Sequence, residues 1–141
     1  MKPQAEEAAA ARRQILADHR DIASLAETIT SSSDRRELAA CAAQLQTLLQ
    51  RHFRTEEGLD GLHATIRARS PERDAQLHRL GHEHAELLRE VRRLRELAGT
   101  RGNVDELHAL GVELVGRLRA HEANENDVFL GSMWRDLGLG D

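Results

Sequence analysis

Between Leu77 and Ala98 the apolar residues Leu77, Leu80, Leu87, Val91, Leu94 and Ala98 recur at steps of three and four, and His84 fills the one step they miss. At about 100° per residue, that spacing keeps a single face of a helix inward. Three other stretches carry the same pattern. One is Ile15, His19, Ile22, Ala26 and Ile29; another is Leu38, Cys41, Leu45, Leu48, His52, Glu56 and Leu59. The last is Leu107, Leu110, Leu114, Leu118, His121, Glu125 and Val128. Four seams of this length leave little room for anything but helices packed side by side.

The breaks between seams are short. Thr30 to Asp34 is a polar, serine-rich turn in which Ser33 or Asp34 is suited to cap the next helix. Ser70-Pro71-Glu72 sets a capping Ser before a Pro at the first helical position, and Gly99 to Asn103 ends one helix and starts another. The expected helices run over residues 5–29, 35–68, 71–98 and 104–135. Short connections between long helices predict an all-α, antiparallel up-down-up-down four-helix bundle. The 141 residues suit one domain, 1–141, with a sizeable core. Two Pro, two Phe, one Trp and no Tyr agree with that class.

Charge and cysteine usage exclude other roles. A net charge of −4 offers no general attraction to nucleic acid or an anionic membrane, and the cluster Arg89, Arg92, Arg93 and Arg95 reads as a solvated helix face. Cys41 is the sole cysteine, so no internal disulfide forms; on its seam it reads as a small buried hydrophobe. The start Lys2-Pro3-Gln4-Ala5-Glu6-Glu7 has no apolar export segment, and no stretch is long enough to span a membrane. The expected location is the cytoplasm.

The seams are apolar except for His19, His52, Glu56, His84, His121 and Glu125. His52 and Glu56, and again His121 and Glu125, stand four apart, so each pair aims an imidazole and a carboxylate at one point. A lone His precedes each pair, His19 the first and His84 the second, as in two copies of one half-site. A core histidine hydrogen-bonded to a neighbour is the ordinary reading of one such residue. Six in one layer, with no Lys or Arg on the seams to neutralise them, would make a poor core. A dinuclear metal centre satisfies all six at once, and mixed imidazole and carboxylate donors suit iron, with manganese and zinc as the other metals such donors take.

The same wheel turns other histidines away. His78 and His82 lie roughly 120° and 160° from His84, and His108 about 140° from His121, so all three are expected at the surface. Glu57 and Glu122 fall off the seam and are expected in solvent. His63 shares the Glu56 stripe two turns on, but Gly58 and Gly61 weaken the helix between them, which leaves its part as a ligand open. The stretch Phe129 to Trp134 is expected to pack over the bundle end.

With a His on the first helix, the string His52-Phe53-Arg54-Thr55-Glu56-Glu57, the pair Glu83-His84 and His121-Glu122-x-x-Glu125, the chain resembles the hemerythrin-like (HHE cation-binding) domains from about Asp18 to Val128. The resemblance implies a four-helix bundle holding two iron ions per chain. His19 and His52 would bind one iron, His84 and His121 the other, and Glu56 and Glu125 would bridge them. Oxygen-carrying hemerythrins add a fifth His four positions before the third-helix ligand, where this chain has Leu80. The set of four His and two Glu is similar to that of the repair-of-iron-centres proteins, linked to oxidative and nitrosative stress. The 141 residues include no counterpart of the N-terminal cysteine-containing domain those proteins carry.

Counting coordination positions sharpens the expectation. Two octahedral irons offer about twelve positions. Four His and two bridging Glu take about eight, and an oxo or hydroxo bridge about two more, leaving one on each metal. Adjacent open positions favour reaction with dioxygen, hydrogen peroxide or nitric oxide over reversible oxygen carriage. An iron- or oxygen-sensing or storage module and a structural metal-stabilised bundle are the other readings of the same residues. Whether the chain is an enzyme, its redox partner, and whether it is a monomer or a homodimer are not written in the sequence.

Overall fold

The computed structural model describes residues 2–59, 61–100 and 103–136. Four long helices carry the fold: α1 (Lys2–Ser31), α2 (Arg35–Glu57), α4 (Asp74–Ala98) and α5 (Val104–Asp136). A short helix, α3 (Leu62–Arg69), lies between α2 and α4 and is followed by a 3-10 turn at Pro71–Arg73. α1 packs on α2 and α5, and α4 packs on the same two, which closes a ring of four. Arg35 at the start of α2 donates from Nε to the carbonyl of Ala98 at the end of α4 (3.0 Å), as antiparallel neighbours require. The all-α four-helix bundle is therefore the observed fold.

The ends are set by local chemistry. The Asp34 carboxylate accepts from the Arg36 amide (3.0 Å) and caps α2. Asn103 Oδ1 accepts from the Asp105 amide (2.8 Å) at the start of α5. Each satisfies an amide that the first helical turn leaves unpaired, worth about 1 kcal/mol. Arg89, Arg92, Arg93 and Arg95 are exposed, as a solvated face should be.

The expected single helix over 35–68 is corrected. The chain leaves the helix after Glu57 and re-enters it at Leu62. Gly61 sits against the end of α2, where a Cβ would come 2.2 Å from the Thr55 carbonyl oxygen and 2.4 Å from that of Glu56. Only a residue without a side chain permits that approach. Leu59, expected on the seam, is instead 97% exposed at the break. We expect Gly61→Ala to force the backbone apart and lower stability by about 1–3 kcal/mol, read as a lower melting temperature.

Two apolar clusters result. The large one runs from Ile22, Ala26 and Ile29 through Leu38, Leu45, Leu49, Leu94 and Leu114, among others. Each fully buried Leu there stabilises by about 1.5–3 kcal/mol. The small one joins Ile66 of α3 to Leu77, Leu80 and Val128, with Leu62 and Phe129 packed against it. The expected end-packing thus holds at Phe129; the side chains of Leu130, Ser132, Met133 and Trp134 lie outside the described residues. No helix among the described residues is long and apolar enough to cross a membrane.

Candidate metal centre

On α2, α4 and α5 the run of large-cluster residues gives way to a polar layer, and the small cluster closes α4 and α5 beyond it. Buried there are His52, Glu56, His63, His84, His121 and Glu125, with His19 half-buried beside them. The structure brings the six expected ligands into two groups whose donor atoms lie within 4.8 Å of one another. One group is His19, His52, Glu56 and Glu125; the other is Glu56, His84, His121 and Glu125. Both glutamates belong to both groups. The two halves match in geometry as well. The His19 and His52 rings meet edge-on at 4.9 Å and 67°, those of His84 and His121 at 4.7 Å and 70°.

Most of the donor atoms have no other use. His19 Nε2, His84 Nε2, His121 Nε2, both Glu56 oxygens and Glu125 Oε2 are buried without a hydrogen-bond partner. Leaving so many polar atoms unsatisfied is costly, and a cation among them would satisfy them together. Without one, the glutamates oppose each other. Burial first, and then the adjacent Glu125 carboxylate, push the Glu56 carboxyl up to about 12. Burial also opposes ionisation of Glu125, but Glu56, His121, His63 and His84 beside it outweigh that and hold it well below the carboxylate range. The two carboxyls therefore share one proton.

Carboxylates outside this layer orient the imidazoles, and sequence reasoning missed two of them. His52 Nδ1 donates to Asp18 Oδ2 (3.0 Å), and His121 Nδ1 donates to Glu83 Oε1 (2.7 Å). Each bond fixes the tautomer and turns Nε2 inward, as it must be for a metal ligand. Asp18 and Glu83 each immediately precede a lone His, so the half-site repeat extends to Asp18-His19 and Glu83-His84. That repeated acid–His dipeptide was the available signal. Burial opposes ionisation of Asp18, but hydrogen bonds from Gln14, His52 and Arg51 hold its carboxyl below the usual range. Burial lowers His52 and outweighs the pull of Asp18, which favours the neutral, ligating ring. Burial pulls His121 down too, but Glu125 and Glu83 raise it overall. We expect Asp18→Asn and Glu83→Gln each to weaken metal affinity by about 10–100-fold at unchanged helicity, measured by chelator competition.

The remaining residues divide. His78 and His82 are exposed, as expected, whereas His108 is half-buried rather than at the surface. Glu57 is 45% exposed, yet its Oε1 reaches within 3.3 Å of His84 Nδ1. Glu122, expected in solvent, is half-buried; burial raises its pKa, and its charge faces His19 and His121. His63 belongs to neither four-residue group, but its Nε2 is 3.6 Å from Glu125 Oε2 and its ring stacks on His84 at 5.4 Å. Phe53 stacks on the other side of His84, 3.9 Å between centroids and 7° from parallel. The His84 ring is clamped between two flat neighbours.

No curated protein and no solved structure matches the chain. The family model of the hemerythrin HHE cation-binding domain matches residues 10–133, a span that holds all six candidate ligands and both orienting carboxylates. The chain belongs to the hemerythrin HHE cation-binding domain family.

Proposed function

We propose that the chain is a non-haem di-iron protein that reacts with dioxygen, peroxide or nitric oxide. The observation that carries this reading is the sharing of Glu56 and Glu125 by both donor groups, as two adjacent ions would require. His19 and His52 would hold one ion and His84 and His121 the other, with Glu56 and Glu125 available to both. Imidazole and carboxylate in this proportion suit iron. Bound there, ferrous iron would supply electrons to a small oxidant or bind nitric oxide.

The chain's own residues do the rest. Asp18 and Glu83 hold the His52 and His121 rings with Nε2 inward. Phe53 and the two apolar clusters exclude bulk water, which strengthens each charge interaction in the layer. No His stands one turn before His84, where Leu80 is packed in the small cluster.

Stopped-flow mixing of the di-ferrous protein with oxygen tests this. The expected result is rapid oxidation without a long-lived oxygenated form, together with reaction toward peroxide or nitric oxide. A stable oxygenated spectrum, reversed when oxygen is removed, would instead make the protein a carrier.

A further inference from the structure

A cleft of about 370 Å³ opens between the end of α2, α3 and α4, and Glu57, His63, Arg67, His78, Gly81 and His82 line it. It runs from solvent toward the centre. At its mouth are His78 and His82, both exposed and one helical turn apart on the outer face of α4. His78 Nδ1 lies 2.9 Å from the Asp74 carbonyl, a bond in which it donates and which leaves Nε2 free to ligate. Farther in is the Glu57 carboxylate, 3.3 Å from His84 Nδ1 and lying over Gly81, where a Cβ would stand 3.0 Å from its Oε1. At the floor is His63, buried, its Nε2 without a hydrogen-bond partner and 3.6 Å from Glu125 Oε2. Arg67, the one permanent cation of the lining, is paired with Asp74 at 2.8 Å. Nitrogen and carboxylate donors thus follow one another from the surface to the centre.

We propose that this cleft is the loading route for divalent metal ions: His78 and His82 capture the ion at the mouth, Glu57 receives it farther in, and His63 passes it to Glu125. The proposal rests on reading the six buried residues as a metal centre. It also gives α3 a purpose beyond covering the bundle end, since the break at Gly61 is what brings His63 to the floor. The groove on the other side of α4, lined by Glu83, Glu90, Arg117 and His121 among others, is the competing way in. There Glu83 is already bound to His121 Nδ1, and Arg117 is paired with Glu90 and Glu113. Its inner wall is thus the back of a ring whose ligating nitrogen faces away. The α3 side instead ends on an imidazole nitrogen with nothing bound to it.

The test follows uptake of Co(II) by metal-free protein in a stopped-flow spectrometer and measures the equilibrium metal content alongside. Two variants are compared with the wild type. His78→Ala/His82→Ala removes the capture pair, and Gly81→Leu fills the cleft with a good helix former whose Cβ displaces the flexible Glu57 carboxylate. The expected result is wild-type metal content in both, with loading slowed about tenfold or more, the scale on which a charged, shaped entrance changes on-rates. Wild-type loading rates in both variants would overturn the route and leave the centre standing. Loss of equilibrium content in the double variant would overturn it too, by making His78 or His82 a ligand. A wild-type chain that takes up no ion overturns the centre, and the route with it.

Discussion

Metal-free protein will lose about 2 kcal/mol of stability, roughly 5 °C in melting temperature, between about pH 7 and pH 8.5, and metal-loaded protein will not. The cause is the Glu56 carboxyl, held up to about 12 in the fold against an ordinary 4.5. A group whose pKa is raised by folding contributes stability that is complete below its unfolded value and drains away as pH climbs toward the folded one. Across that interval, folding takes up one proton at Glu56, at about 1.4 kcal/mol per pH unit. Glu125, which faces Glu56 from α5, is shifted the other way, so its contribution is lost only in acid and is constant here. His52 is lowered from an ordinary 6.5 and so acts below this window, whereas His121 is raised from 6.5 and adds a loss of the same sign as that of Glu56. Cys41 is raised by burial and then by Glu37 from 9.0, which adds a loss only above it. A bound cation displaces the proton from Glu56 and removes the slope. Thermal melts of apo and loaded protein across the window check this; parallel profiles would contradict it.

Glu56→Leu will abolish metal binding and the pH dependence of stability together. Glu56 Oε1 is 3.3 Å from His52 Nε2 on its own helix and 3.5 Å from His84 Nε2 on α4, and the residue belongs to both donor groups. Its loss therefore costs both metal positions. The metal-free fold loses the contact that Glu56 gives the buried Glu125 carboxylate, and removing one partner of such a pair costs about 3–5 kcal/mol. The variant will therefore melt below the wild-type apo protein at pH 7, but without the slope above pH 7. A slope retained by the variant would contradict this account of the layer.

The seams were legible because periodicity and burial are the same fact on a straight helix. His52, His84, His121, Glu56 and Glu125 broke an apolar pattern, and a break in such a pattern has to be satisfied somewhere inside. What the wheel could not show was the point at which a helix stops. Two glycines cost about 1 kcal/mol each in a helix interior, too little to end one by themselves. The break depends on Gly61 resting against the Thr55 and Glu56 carbonyls, a contact between residues that a helical projection keeps a turn and a half apart. Leu59 was misplaced for that reason, and His63 arrives at the centre on another element. Asp18 and Glu83 were missed for a different cause. They stand one residue off the seam and reach sideways to the ring on the neighbouring helix, a direction that the pattern of one helix does not encode.

The central claim is that two ions share Glu56 and Glu125, and the metal content of protein purified after iron-replete expression tests it most directly. The account predicts two irons per wild-type chain and none in Glu56→Leu. One iron per wild-type chain, or an iron retained by the variant, would contradict it.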